Sequence, residues 1–320
     1  MQRFGKISDY WQILKQSGSD FIDDKVLKLS ASLAYYTIFS VAPMLIVIIF
    51  LCDLFLGKEA IENNVYGQIK GLVGSDAAIQ IQDMIRNATL SQDAGWATIL
   101  GVITLIIGAT GVFAEIQDSI NKIWRLKAKP KKGLLKMLLN RLLSFSLVVS
   151  MGFILLVSLV INGLMEILNK RLATMFPELA VVTIYVLNIA ITVIVITSLF
   201  AIIFKVLPDA RIKWRDVLVG SVTTAVLFML GKFGIGYYLG ASKISSSYGA
   251  AGSIVIILLW VYYSAAILYF GAVFTRVYIQ YRGSTIYPND YAVWIKETEI
   301  PHEEAMALEH GAQQSIHLNK

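Results

Sequence analysis

Charge is scarce in this sequence. Asp, Glu, Lys and Arg make up 16% of the 320 residues, where a soluble domain averages about 25%. Hydrophobic residues reach 56%. So few charges cannot coat a soluble particle of this size, and those present cluster, leaving long tracts with none. Composition therefore excludes a soluble enzyme and supports a polytopic membrane protein. Cysteine is nearly absent. Cys52 alone excludes an intramolecular disulfide and any cysteine-based zinc site. Histidine occurs only late, at His302, His310 and His317. On one unbroken helix the three would share a face, but Gly311 interrupts it. His302-Glu303 opens like HExxH, yet Met306 stands where the second ligand belongs. The expected metal and cofactor content is therefore none.

The tracts without Asp, Glu, Lys or Arg are residues 29–52, 94–114, 142–165, 179–204, 217–231 and 244–275. A helix crossing the hydrocarbon needs about 20 mostly apolar residues. Lys232 interrupts the fifth tract, and 217–241 otherwise reads as one span. The sixth opens with a Ser/Gly-rich loop, so its span is 254–275. The expected fold is all-α: six transmembrane helices over about 30–52, 94–114, 142–165, 179–204, 217–241 and 254–275, with short interfacial helices. That makes a membrane domain of 29–276, between an N-terminal segment 1–28 and a polar tail 277–320. The mixed polar residues ahead of the first tract are unlike a signal peptide. No tract holds a histidine or aspartate, which removes intramembrane Ser–His and paired-aspartate proteases. No GxxxxGK[ST] is present for a nucleotide-driven pump. The chain is expected not to be an enzyme.

Basic residues give the orientation. Lys and Arg number 21 in segments 1–28, 115–141, 205–216 and 276–320, against seven in the alternate loops. By the positive-inside rule both termini are expected in the cytoplasm. The formal net charge of +6 is largely explained this way, without a nucleic-acid partner. Lys127, Lys129, Lys131, Lys132 and Lys136 form a cluster beside a span that suits anionic lipid headgroups, or serves topology alone. No aromatic platform interleaves them for RNA.

Between the spans, Ile7, Tyr10, Trp11 and Leu14 recur at helical spacing. They predict a short helix, either lying in the interface or packed on the ends of the bundle. The outer loop 53–93 carries two amphipathic patterns, read as a lid or as a structural cap. From Pro288 the chain turns polar, and it is expected to be mobile and dispensable.

Within the spans, several polar features stand out. Pro43 withholds a donor from the carbonyl of Phe39 and predicts a kink. Tyr35, Tyr36 and Ser40 precede it as candidate lining of a cavity, or as ordinary interfacial residues. Gly108 and Gly111 permit close helix contact. Glu115 follows at the margin of the hydrocarbon, and Asn121 one and a half turns on. Lys232 lies about 23 Å into its span, in the outer third. Such a charge faces a cavity or snorkels to the interface. Tyr237, Tyr238 and Tyr248 follow it in sequence, and Gly236 with Gly240 offers a close crossing. Gly249 and Gly252 close a Ser/Gly stretch suited to a wet vestibule.

These residues resemble the YihY/BrkB family. Leu33-Ala34-Tyr35-Tyr36-Thr37 with Phe39-Ser40 and Pro43 is similar to its first-span signature, and Asn121 to Trp124 to its second. Leu207-Pro208, Trp214-Arg215, Tyr248 to Gly252 and Leu259-Trp260-Val261-Tyr262 resemble its C-terminal signature. The resemblance covers about Lys25 to Arg276. It implies a bacterial six-span inner-membrane protein, some members being named for virulence and serum resistance. Lipid or lipopolysaccharide-precursor transport is suggested for some members. The old ribonuclease BN label of the family finds no metal ligands here. Gly271-Ala272-Val273 departs from a pattern that often reads Gly-Ala-Glu. The resulting expectation is a non-ATP-driven transporter or flippase of an amphipathic, anionic envelope molecule. The alternative is a non-transporting scaffold of the envelope. A homo-oligomer is compatible with either.

Overall fold

A computed structural model describes residues 7–40, 79, 111–129, 177–241 and 252–296. It is mostly helical, as composition requires. In chain order the elements are α1 (Ile7–Asp23), α2 (26–40), α3 (111–123), β1 (Leu126–Ala128), α4 (Pro177–Val206), β2 (Ala210–Arg211), α5 (Trp214–Ala241), α6 (Gly252–Tyr281), β3 (Tyr287–Pro288) and β4 (Ala292–Trp294). Among the described residues, three helices are long and apolar enough to cross a membrane, over Ile189–Val206, Trp214–Tyr238 and Ile254–Tyr281. They correspond to the last three expected spans. Of the first two spans the structure describes only the ends, 30–40 and 111–114. The span 142–165 and, apart from Ile79, the loop 53–93 lie outside the described residues.

Local chemistry sets the helix ends. Gly283 adopts a φ of 67° after α6. Its N–H donates to the Gln280 carbonyl at 2.9 Å, and that of Ser284 to the Ile279 carbonyl at 3.0 Å. This is the two-bond Schellman stop, which needs a left-handed residue. Lys25 (φ 53°) separates α1 from α2, and Arg125 (φ 59°) ends α3. Neither is glycine, so both are held left-handed by their surroundings.

Helices α5 and α6 pack antiparallel in a reciprocal register. Thr224 of α5 fills the space over Gly271 of α6, and Thr275 of α6 fills the space over Gly220 of α5. Each threonine hydroxyl donates to a carbonyl four residues back in its own helix, at 2.7 Å. The polar atom is thereby satisfied while the side chain occupies the facing notch. Further along, Gly231 accommodates Tyr263 and Ile267. Phe228 stands 6.3 Å from Trp260 and 5.9 Å from Phe200 of α4, continuing the core across three helices.

The segment after α6 is tied down at its start. Strand β4 pairs antiparallel with β1 (Lys127 opposite Val293), and β3 with β2 (Arg211 opposite Tyr287). Residues 287–295, the start of the tail expected to be mobile, dock onto the end of α3 and the α4–α5 link, while residues 297–320 lie outside the described residues. Two- and three-residue strands are too short to leave a period-two pattern.

Candidate functional site: the polar end of the bundle

Arg276 lies near the end of α6 with its side chain 6% exposed. A buried guanidinium requires carboxylates and acceptors around it. Its Nη2 stands 2.6 Å from Asp20 Oδ2 on α1 and 3.0 Å from Asp24 Oδ2 in the α1–α2 link. The first contact is a well-formed hydrogen bond; the second is an ion pair without hydrogen-bond alignment. Its Nη1 donates to the Ile123 carbonyl at the end of α3. Arg125 Nη2 reaches Asp24 Oδ1 at 2.7 Å. Two aspartates and two arginines thus balance to zero charge while joining α1, α2, α3 and α6. Burial pushes the Asp24 carboxyl above the usual aspartate range, against the pull of Arg276 and Arg125.

A second node sits on the other side of α3. Asp209, 2% exposed, follows Pro208 in the α4–α5 link. Asn121 Nδ2 donates to its Oδ2 at 2.9 Å, and its backbone N–H donates back to Asn121 Oδ1 at 2.8 Å. Gln117 Nε2 donates to Asp209 Oδ1 at 3.1 Å. The Tyr291 hydroxyl is raised above its ordinary range by burial and by the charge of Asp209. Asp209 is therefore a buried carboxylate held by uncharged donors. A third tie runs from the Trp124 indole N–H to the Ala272 carbonyl of α6, at 2.9 Å.

The sequence model of the family described as Virulence factor BrkB matches residues 18–290, most of the chain. The chain belongs to the BrkB family. Curated relatives are named only as UPF0761 membrane proteins. One from Stenotrophomonas maltophilia is 28% identical over 248 residues, covering 76% of this chain and 55% of the relative. One from Xanthomonas campestris is 26% identical over 258 residues, covering 79% and 57%. One from Azotobacter vinelandii is 27% identical over 275 residues, covering 85% and 63%. The chain spans just over half the length of these relatives. No solved structure matches it.

In this BrkB-family chain the stretches that carry the resemblance make many of the contacts above. Asn121 and Trp124 come from the second signature, and Leu207-Pro208 precedes Asp209. Other expected site residues are distributed. Tyr36 and Gly111 meet: a Cβ at Gly111 would lie 3.5 Å from Tyr36 Cδ1. Tyr35 is 61% exposed and packs edge-on to Phe39 at 4.9 Å between centroids. The Ser40 hydroxyl is buried and bonds the Thr37 carbonyl at 2.9 Å, satisfying its own helix. Glu115 accepts a 3.4 Å bond from Ser119. Lys232 is partly buried on α5, beside Gly231 where the Tyr263 ring presses in. Phe233, Tyr237 and Tyr238 nearby are exposed.

At Gly236 a Cβ would meet nothing within 4 Å, so the close approaches of α5 are at Gly220 and Gly231 instead. Gly252 starts α6 and is buried, and Gly240 lies in α5. Lys127 and Lys129 are exposed on and beside β1. Pro43, Gly108, Lys131, Lys132, Lys136, Tyr248 and Gly249 lie outside the described residues. Sequence reasoning passed over Asp20, Asp24, Asp209 and Arg276. The available signal was weak: two acids four apart ahead of the first span, and an arginine ending the last one.

Helix α1 resolves the choice left open for it only in part. It packs through Ile13 and Ser17, both 0% exposed, and through Asp20. Trp11 and Ile22 remain 68% and 73% exposed. An open cleft of about 590 Å³ lies beside the contact of α1 with the end of α6, lined in part by Gln12, Lys15, Gln16, Ser19 and Gln280.

Proposed function

We propose that this protein moves an amphipathic, anionic envelope molecule, of lipid or lipopolysaccharide-precursor type, across the bacterial inner membrane without hydrolysing ATP. The observation that carries the proposal is Lys232. It is the one charged residue in the stretch 217–241, it is partly buried, and exposed Phe233, Tyr237 and Tyr238 flank it. A cation beside aromatic, lipid-accessible surface suits a molecule with an anionic head and apolar tails. A charge in the hydrocarbon is costly, and that cost is offset when an anionic head shares the site. Orientation belongs to the same proposal. Helix α1 meets the end of α6 at the polar end, where Lys25, Lys28, Lys122, Lys127, Lys129, Lys213 and Arg215 are exposed. Taking that end as cytoplasmic satisfies the positive-inside rule and puts both terminal segments inside. The lysines then lie where anionic headgroups are found. On this reading the protein is not an enzyme, and no ribonuclease chemistry is assigned to it.

The test replaces Lys232. Lys232→Met should insert and fold like the parent and abolish transport or any envelope-protection phenotype. Lys232→Arg should retain part of it, because the charge survives with altered geometry. Full function in the methionine variant ends the proposal. The scaffold reading has one observation in its favour. Tyr287 and Trp294, 57% and 53% exposed with centroids 5.8 Å apart, form an aromatic surface on docked strands. Loss of function on replacing that pair, with Lys232 dispensable, would favour it.

A further inference from the structure

A pocket of about 220 Å³ opens where the α4–α5 link meets the end of α6. The link contributes Arg211 and Lys213, and the turn after α6 contributes Ser284 and Thr285. The two segments are held to each other. Gly283 turns the chain out of α6, and β3 then pairs with β2, setting Arg211 opposite Tyr287. Ile212 and Ile279, 6% and 1% exposed, supply the apolar part of the lining. The pocket is therefore framed by backbone pairing and core packing before anything enters it.

Its polar groups divide into engaged and available. Lys205 donates to the Ile212 carbonyl and lies 5.7 Å from the centroid of the Trp214 ring, so its ammonium braces the link. Asp216, 6% exposed, is answered by Arg282 at 3.0 Å. Arg211 holds Asp290 at 2.5 Å, but the two side chains are 58% and 85% exposed. An ion pair so wet contributes little and exchanges readily. The Lys213 ammonium and the hydroxyls of Ser284 and Thr285 make no hydrogen bond or ion pair among the described residues. Arg211, Lys213 and Arg282 outnumber the carboxylates Asp216 and Asp290, and Asp290 is free to swing into water.

A tetrahedral oxyanion matches this set. Its oxygens point in several directions, so it takes the arginine fork and the lysine charge together with hydroxyl donors from the turn after α6. We propose that this pocket binds a phosphate group, which displaces Asp290 from Arg211. Its place favours a phosphate carried by a lipid. One apolar helix ends at Val206 and the next begins at Trp214, so the pocket lies at a membrane surface. Trp214, Tyr287 and Trp294 are each more than half exposed at this end, as residues of an interfacial aromatic belt are. Lys232 is about 28 Å farther along α5 than Lys213. The site is therefore separate from Lys232 and does not rest on the transport reading.

The experiment is isothermal titration calorimetry of the purified full chain in non-ionic detergent, with dihexanoyl phosphatidylglycerol and inorganic phosphate as probes. The parent should bind saturably. Arg211→Gln and Lys213→Met should each weaken binding about tenfold, the loss of a charge-assisted contact. Ser284→Ala combined with Thr285→Ala leaves the net charge alone and should weaken it about fivefold. Asp290→Asn removes the competitor and should tighten it about threefold. Lys28→Gln takes an equal charge from the same end without touching the pocket and should change nothing. With these responses, a lipid that binds far more tightly than inorganic phosphate assigns the phosphate to a headgroup, and equal affinities assign it to the free ion. The proposal is overturned if neither probe binds, or if Arg211→Gln and the double alanine variant bind like the parent. An equal loss in Lys28→Gln also overturns it, by reducing the site to diffuse surface charge. If Arg211→Gln does not fold, Asp290→Asn at its exposed position decides, and unchanged affinity there overturns the proposal.

Discussion

Thr224 of α5 occupies the notch that Gly271 leaves in α6, and a Cβ at Gly271 would lie 2.9 Å from Thr224 Cβ and overlap its hydroxyl. The backbone four residues back holds that hydroxyl, so it has no free rotation with which to escape. Gly271→Ala should therefore force the helices apart. The expected loss is about 1–3 kcal/mol, typical of an overfilled core. Thermal unfolding in detergent measures it. Gly236→Ala on α5 should be close to neutral, since its Cβ meets open space. Equal effects at the two glycines would contradict the reciprocal register.

Arg276 answers two aspartates. Replacing it by methionine leaves Asp20 and Asp24 with Arg125 alone and an uncompensated buried charge. The expected cost is about 3–5 kcal/mol. Adding Asp20→Asn in the same chain restores the charge balance and should recover part of the loss. Thermal midpoints of the parent, single and double variants test this. A double variant no better than the single one would show that the charges are not coupled.

The same cluster gives a pH dependence. The folded-state Asp24 carboxyl is raised above its ordinary value of 3.8, with burial as the leading cause. A raised folded value means that its contribution to stability is full below about 3.8 and is lost as pH rises through the folded value. Asp24→Asn stays uncharged throughout. Its thermal midpoint should therefore change less than the parent's between the acid end and neutral pH, on top of a fixed cost for leaving Arg276 and Arg125 with Asp20 alone. A variant that instead falls behind as pH rises would show that the two arginines outweigh burial.

Sidedness is open to labelling. In a Cys52→Ser background, a cysteine placed at Asp76 should react with a membrane-impermeant thiol reagent in intact cells. One placed at Lys129 should react only after lysis. The reverse pattern would invert the proposed orientation.

What the sequence made legible follows from what is local. Long apolar tracts fix where helices lie, and α4, α5 and α6 begin and end within a few residues of the expected spans 179–204, 217–241 and 254–275. The exception is the end of α6. Arg276 reads as the place where a span stops, yet the helix runs on to Tyr281 because Asp20 and Asp24 neutralise the charge inside the bundle. Asn121 was visible as a polar residue, but its partner Asp209 is 88 residues away and no spacing rule connects them. Glycine spacing singled out Gly236 and Gly240, whereas the tight seam uses Gly220 and Gly271. Which face of a helix turns inward depends on its neighbours, and a single helix does not encode that. Helix α1 was legible as amphipathic; its anchorage to α6 through Asp20 was not.

Transport as proposed turns on Lys232 holding an anionic, lipid-like molecule within the membrane domain. Native mass spectrometry of the protein released from its own membrane measures this most directly, by comparing bound lipids in the parent, Lys232→Met and Lys232→Arg. We expect an anionic lipid species enriched over its share of the membrane in the parent, reduced in the arginine variant and lost in the methionine variant. An identical lipid profile in all three would contradict it.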